Sequence, residues 1–209
     1  QSIVFGPMGR LGEGVLLGAF GALSLYNHEA AVAGLRDLAH AEVRRLVKRE
    51  GAAIGHRLDE VERSVAMFGT QGRLALDTEH GLSDAELAEY AMQPDGAYHL
   101  QKPGPDQAAM VYSGFVPVGP KERDKAYRTA RLDPLMRTMV EQNQLLAQVY
   151  LNTHDSMSRI FPAVDPGTFP PKMNIPEFYF FYLADAKHNP SLSVVWTEAY
   201  LDPAGAGWI

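Results

Sequence analysis

A long run without proline, from Glu29 to about Phe68, most constrains the fold of this chain. It is charged and rich in Ala, Leu, Glu and Arg, which are strong helix formers. Five apolar residues recur at alternating intervals of four and three, which places them in one stripe along a helix: Ile54, Leu58, Val61, Val65 and Phe68. The sequence therefore predicts a spine helix over residues 28–72, in which Gly34, Gly51 and Gly55 weaken the helix and allow a break near residue 51. A helix of this length is typical of a dimerising stalk or of a spine along globular units.

The segment before this helix, residues 1–27, carries only two charged side chains, Arg10 and Glu13. Within it, Val15–Tyr26 is an apolar run of about twelve residues, shorter than the roughly 18 that indicate a membrane-spanning helix. The run is compatible with a core helix and with the outer end of an imperfect membrane span.

Composition excludes several classes of protein. With 46% hydrophobic residues in 209, the chain is too apolar to be disordered, and its net charge of −6 argues against a nucleic-acid partner. The absence of cysteine excludes disulfides, thiolate metal sites and thiol nucleophiles. The seven histidines form no H-E-x-x-H motif, and the glycines near Gly12 lack the G-x-G-x-x-G spacing. We therefore expect no metal, no cofactor and no catalytic residues.

Beyond residue 72 the pattern is mixed. Ser83 and Glu86 form a predicted capping box, and Asp133-Pro134 is predicted to start a helix over Leu135–Gln142, with Asp133 as its N-cap. Four apolar or aromatic runs are predicted to be strands: Met110–Val118, Leu145–Leu151, Phe178–Leu183 and Ser193–Leu201. A long helix followed by such strands predicts an α+β fold with an antiparallel sheet.

The last two predicted strands carry a dense group of aromatic residues. Since alternate residues of a strand share a face, Trp196, Glu198, Tyr200 and Asp202 would lie together. Aromatic rings beside a carboxylate suit a cationic ligand, through cation–π attraction and charge-assisted hydrogen bonds. The same alternation is equally typical of an ordinary strand with one solvent-exposed face and one buried face.

Four sequence blocks of the C-terminal half follow one another in the order found in a known protein family. These blocks are Val149–Pro162 (VYLNTHDSMSRIFP), Met173–Pro176, Phe181–Pro190 and Val195–Gly205. Together they resemble the membrane-distal half of a double-Cache domain, the PAS-like extracytoplasmic sensor of bacterial chemoreceptors, sensor histidine kinases and diguanylate cyclases. The resemblance implies that residues 73–209 form a membrane-distal lobe, incomplete at its C-terminus. It also implies that residues 1–27 are the end of a transmembrane helix, in the inner membrane with this region periplasmic.

The resemblance also implies a ligand site. Tyr200-Leu201-Asp202 matches the Tyr-x-Asp block of amino-acid-binding members, where the acid receives the ligand ammonium. Phe181 and Tyr182 stand where the family has Trp-Tyr, and Tyr179 replaces the arginine that clamps the ligand carboxylate. The predicted ligand-binding residues are Tyr150, Tyr179, Phe181, Tyr182, Trp196, Tyr200 and Asp202. The predicted ligand is a small molecule, an amine or an amino-acid-like compound.

The sequence thus predicts a non-enzymatic sensing module of a membrane-anchored receptor, a homodimer through its long helix. Two alternatives stay open. His154-Asp155-Ser156 contains the residue types of a hydrolase site, so a small enzyme could use His154 and a carboxylate. A structural dimerisation module built on the long helix is the other alternative.

Overall fold

The computed structural model describes residues 8–78, 83–203, 205 and 207–208. Its first element, α1, is a helix over Met8–Asp77 that continues without interruption through Gly51. A long N-terminal helix is therefore confirmed, although it begins at Met8 and not at residue 28, and the break that the glycines would allow near Gly51 does not occur. Strong helix formers surround this glycine, and their summed propensity exceeds the cost of about 1 kcal/mol for one glycine.

The chain divides into two compact units, Gln1–Arg57 and Leu58–Ile209. In the first unit, the residues whose burial is described, 14–57, are exposed, apart from the half-buried Gly55. Among the described residues, no helix is both long enough and apolar enough to cross a membrane.

The second unit combines the end of α1 with a five-stranded antiparallel sheet and short helices, which confirms the predicted α+β class. The strands follow the order β1-β2-β3-β5-β4 across the sheet. In chain order, the elements are α2 (Asp84–Ala88), β1 (Tyr90–Met92), β2 (Tyr98–Leu100), β3 (Ala109–Tyr112), α3 (Pro120–Ala130), α4 (Asp133–Gln142), β4 (Val149–Asn152), β5 (Met157–Phe161) and α5 (Tyr179–Tyr182).

The sheet has two faces with different coverings. On the face that we call the helix face, two apolar clusters join the sheet to α1, α3 and α4; their members include Phe68, Ala75, Met136, Val149 and Phe161 in one and Tyr98, Met110, Tyr112, Ala126 and Met157 in the other. The opposite face, the loop face, carries Ala109, Ile160 and Tyr150, which are paired across β3, β5 and β4. Val164 and Phe169, from the loop after β5, pack on that face.

A buried arginine ties the helices to the helix face of the sheet. Arg159 of β5 is fully buried, and its guanidinium donates to Asp133 Oδ1 at 2.8 Å and to Thr129 Oγ1 at 3.1 Å. It also donates to the Ala126 carbonyl at 2.6 Å. A buried charge needs partners of this kind, because desolvation is otherwise very costly. Arg159 therefore links β5 to α3 and α4.

Asp133 plays a different part from the one predicted. Leu132 is the N-cap of α4, and Asp133 lies in the first turn with Pro134. Its carboxylate accepts from the Ala108 amide at 3.0 Å as well as from Arg159. Burial raises the pKa of Asp133, while the charge of Arg159 and these hydrogen bonds oppose the rise. The prediction of Asp133 as the N-cap of α4 is therefore wrong, because its carboxylate binds Arg159 of β5 and does not cap the helix.

Of the four predicted strands, the first two occur in the structure and the last two do not. The first two shorten to β3 and β4. The strand predicted over Phe178–Leu183 is wrong, since Tyr179–Tyr182 form a short helix after a 3₁₀ turn at Ile175–Glu177. Its backbone bonds run from Tyr182 to the Phe178 carbonyl at 3.1 Å, as in a helix. The strand predicted over Ser193–Leu201 is also wrong, because only an isolated bridge from Leu201 to Trp208 occurs there.

Candidate ligand site on the loop face

Two of the predicted site residues meet although they are far apart in sequence. Tyr150 of β4 donates its hydroxyl to Asp202 Oδ2 at 3.0 Å and also lies against Gln148 Oε1. Asp202 is only 6% exposed. Burial and the adjacent carboxylate of Asp202 raise the pKa of Tyr150 well above its usual value, so the phenol stays protonated and can donate.

A tight turn holds Asp202 in place. The Asp202 amide donates to the Gly207 carbonyl at 2.8 Å, and the Gly205 amide donates to the Asp202 carbonyl at 3.1 Å. Gly205 and Gly207 have φ of +93° and +94°, where a residue with a side chain would be strained. Burial, with the Asp202 charge adding to it, also raises the pKa of Tyr200.

The other predicted aromatic residues make separate contacts. Tyr200 stacks on Phe180 with ring centroids 5.5 Å apart, whereas Tyr179 and Tyr182 meet edge to face at 5.6 Å. Phe181 is half-buried and Trp196 is 56% exposed. Because residues 179–182 are helical and 193–200 are irregular, the alternation of faces predicted for them does not occur. The two strand-like runs therefore do not form the predicted pair of aromatic strand faces.

A cavity of about 430 Å³ opens on the same loop face, and sequence reasoning missed it. His99 and Val111 are paired neighbours on β2 and β3 and contribute to its lining. One wall is the turn that joins β1 to β2, residues 93–97. The other wall is the proline-rich loop, with Pro166, Gly167, Phe169, Pro170 and Pro171.

Both walls are attached to the C-terminal end of β3. Ser113 donates its hydroxyl to the Met173 carbonyl at 2.7 Å, and the Lys172 amide donates to the Ser113 carbonyl at 2.8 Å. On the other side, a Cβ added to Gly114 would lie 2.9 Å from the backbone of Gly96, so the turn approaches β3 as closely as glycine allows. These contacts fix the positions of both loops relative to β3.

The cavity and the Tyr150–Asp202 contact are connected through one residue, Phe169. Phe169 lines the cavity and also packs against the cluster of Ala109 and Ile160, on which Tyr150 packs as well. The turn residues Pro94 and Gly96 and the proline run were visible in the sequence as loop signals. No spacing rule, however, shows that two loops about 70 residues apart face each other.

A larger hollow of about 580 Å³ lies elsewhere, beside α3 and β1, and its lining includes Tyr90, Tyr127 and Asp133. Each Asp133 carboxylate oxygen already accepts a hydrogen bond, one from Arg159 and one from the Ala108 amide. This acid therefore serves the fold, and the loop face is the better candidate for a ligand.

The His154-Asp155-Ser156 tripeptide does not have the geometry of a catalytic triad. His154 is exposed, whereas Ser156 is buried and its hydroxyl accepts from the Ile175 amide at 3.0 Å. Lys125 donates to Asp155 at 2.6 Å. Burial alone would raise the pKa of Asp155, but its hydrogen bonds, foremost that from Lys125, hold it below the usual value. Within the described part of the chain, no group of three or more acidic or histidine side chains is placed to bind a metal ion.

Comparisons with known proteins identify no relative. No protein-family model matches the chain, and no curated protein or solved structure is significantly similar to it.

Proposed function

We propose that this chain is the small-molecule sensing module of a membrane-anchored bacterial receptor of the double-Cache type, without catalytic activity of its own. The observation that carries the proposal is the buried acid on the loop face: Asp202, held by Tyr150. The same face also bears the cavity of about 430 Å³, which neither of these two residues lines. Ligand sites are typically concave and mostly apolar, with a few placed polar groups. The block resemblance at Val149–Pro162 and Val195–Gly205 supports the family.

The chemistry of Asp202 favours an amine or an amino-acid-like ligand. A buried carboxylate is stabilised most by a cationic donor, because a charge-assisted hydrogen bond is about twice as strong as a neutral one. Tyr150 supplies a neutral donor to the same carboxylate. An ammonium group that reaches Oδ2 would therefore compete with a weaker partner.

Strand β4 offers a direct path from the ligand to the long helix. Tyr150 points to the loop face, while its neighbour Val149 lies on the helix face in one apolar cluster with Phe68 and Ala75 of α1. A ligand that moves Tyr150 shifts β4 and hence the side chains on which the end of α1 packs. Packed cores of this kind switch between discrete arrangements more readily than they deform.

We extend the proposal to a homodimer through α1 and to an inner-membrane receptor with this region periplasmic. Exposed apolar side chains support both parts: Leu35, Leu38, Leu46, Val47 and Ile54 along the helix, and Val15, Leu16, Leu17 and Phe20 nearer its start. A surface of this kind is rarely left uncovered. Sedimentation velocity of Leu46→Lys tests the dimer, since the wild type should associate and the variant should not. A monomeric wild type at high concentration would refute it.

Thermal unfolding in the presence of amines tests the sensing function. A ligand at one hundred times its Kd stabilises the fold by about 2.7 kcal/mol, or about 5–11 °C in Tm for a chain of this size. We expect one of ethanolamine, putrescine or L-alanine to raise the Tm of the wild type and of the control Glu198→Gln, an exposed acid nearby. Asp202→Asn should lose the rise. A rise of equal size in Asp202→Asn, or no rise in the wild type with any of the three, would refute the site.

A further inference from the structure

We propose that the loop-face cavity is a second binding site, separate from Asp202, and that it binds the ring of a neutral, purine-sized nitrogen heterocycle. The inference goes beyond the proposed function, because nothing in the chemistry of Asp202 requires this cavity to be occupied. Its volume of about 430 Å³ lies within the range of small-molecule sites.

Two polar side chains in the lining have hydrogen-bonding capacity to spare. Gln93 is half-buried, and its side-chain amide has no hydrogen-bond partner within the ranges that the structure describes. His99 Nδ1 lies 3.2 Å from the Leu100 carbonyl, which can only accept, so Nδ1 carries the proton in this bond. In the tautomer with its proton on Nδ1, the Nε2 atom is an acceptor for a ligand donor.

A Gln side chain matches the edge of a nitrogen heterocycle. Its amide presents one donor and one acceptor side by side, which is the pattern that pairs with the N6/N7 edge of adenine. With His99 as an additional acceptor, the cavity can distinguish such an edge from a plain hydrocarbon ring.

The walls suit a flat ring. Pro94, Pro166, Pro170 and Pro171 have fixed φ angles and lose little entropy when a ligand binds. Phe169 adds an aromatic face, on which heterocyclic bases stack without regard to their identity. The attachments at Ser113 and Gly114 hold both walls in place.

The charge of the lining argues for a neutral base rather than a nucleotide. No lysine or arginine occurs among the described lining residues, whereas Asp95 does, and its Oδ1 accepts from the Ala97 amide at 3.0 Å. A phosphate group would therefore meet no cation there and would lie near a carboxylate. We expect adenine to bind and adenosine monophosphate to bind at least tenfold more weakly.

Isothermal titration with adenine tests the site, with indole as a planar probe that lacks the acceptor–donor edge. We expect saturable binding of adenine to the wild-type chain, and at least tenfold weaker binding of indole. Gln93→Leu should weaken adenine binding about tenfold or more, since one bidentate pair is worth this much. Gln101→Leu, an exposed glutamine just after β2, should bind like the wild type. Gln93→Glu keeps the size and polarity of the side chain but loses the donor, so it gives the same test if the leucine variant unfolds.

Three results would overturn the inference: no saturable adenine binding to the wild type, unchanged binding in both Gln93 variants, or a loss in Asp202→Asn equal to the loss in Gln93→Glu. The last result would place adenine at Asp202 and leave the sensing function intact. Conversely, adenine binding that depends on Gln93, together with the absence of any amine effect at Asp202, would support this site and refute the other.

Discussion

Replacing Arg159 with Met removes the charge that joins β5 to α3 and α4. Methionine still fills much of the same space, because it is a long, unbranched, apolar side chain. In the wild type the guanidinium donates to Asp133, to Thr129 and to the Ala126 carbonyl, and it is fully buried. The variant leaves Asp133 buried with the Ala108 amide as the one remaining donor among the hydrogen bonds described above.

The expected cost follows from this uncompensated acid. Breaking one side of a buried ion pair typically costs about 3–5 kcal/mol. For a domain of this size, each kcal/mol lowers Tm by about 2–4 °C, so Arg159→Met should unfold about 6–20 °C earlier. The double variant Arg159→Met/Asp133→Leu removes both charges and should recover part of the loss, because an apolar pair of similar volume carries no desolvation penalty.

Thermal and urea unfolding, followed by circular dichroism, give the four free energies of this double-mutant cycle. Arg131→Met serves as the control, since Arg131 is an exposed arginine close to the same helices. Additive effects of the two substitutions, or a fall in Tm below about 2 °C for Arg159→Met, would show that the pair does not hold the helices to the sheet.

Lys125→Met should lower Tm at pH 7, and the difference from the wild type should shrink below about pH 4. The reason is that the pKa of Asp155 is lower in the folded chain than in the unfolded chain, which stabilises the fold above the unfolded pKa and is lost on acidification. A difference in Tm that does not change with pH would contradict this. Gly114→Ala should cost about 1–3 kcal/mol in urea unfolding, since φ is +78° there and the added Cβ meets backbone; a change below about 0.5 kcal/mol would contradict the close approach. Phe68→Ala should cost about 3–5 kcal/mol, whereas Leu46→Ala, 48% exposed, should cost less than about 0.5 kcal/mol in a monomeric sample; equal losses would be inconsistent with the core placement of Phe68.

The elements with local signals could be predicted from the sequence. Helix α1 follows from composition alone, and the capping box at Ser83 is present, with the Glu86 amide donating to Ser83 Oγ at 3.3 Å. Helix α4 was predicted from the proline in its first turn, Pro134, although its N-cap is Leu132 and not Asp133. In each case the determining interactions lie within about four residues, so that a reading of the chain detects them.

The missed elements depend on distant partners. Strand β5 reads M-S-R-I-F, with Arg159 at its centre, and all five residues are buried. An arginine argues against a buried strand unless an acid compensates it, and Asp133 lies 26 residues away. The run Phe178–Leu183 has high β propensity, but such propensity reflects packing against neighbouring strands, and here a 3₁₀ turn leads the aromatic residues into a helix.

The candidate site shows the same division. Tyr150 and Asp202 are both among the predicted ligand-binding residues, and the fold brings them together across 52 positions. The ligand-binding role of these residues stays a prediction. The cavity between the β1–β2 turn and the proline-rich loop was not predicted, since its shape depends on the Ser113 and Gly114 contacts that join the two loops.

Amide hydrogen exchange in the presence and absence of the most stabilising amine tests the sensing account most directly. We expect slower exchange in two places: at β4, where Tyr150 contacts Asp202, and in the last turns of α1, where Phe68 and Ala75 pack on the same strand. Both effects should vanish in Asp202→Asn. Protection that leaves β4 and the end of α1 unchanged, or that persists in Asp202→Asn, would contradict the coupling of the loop face to the long helix.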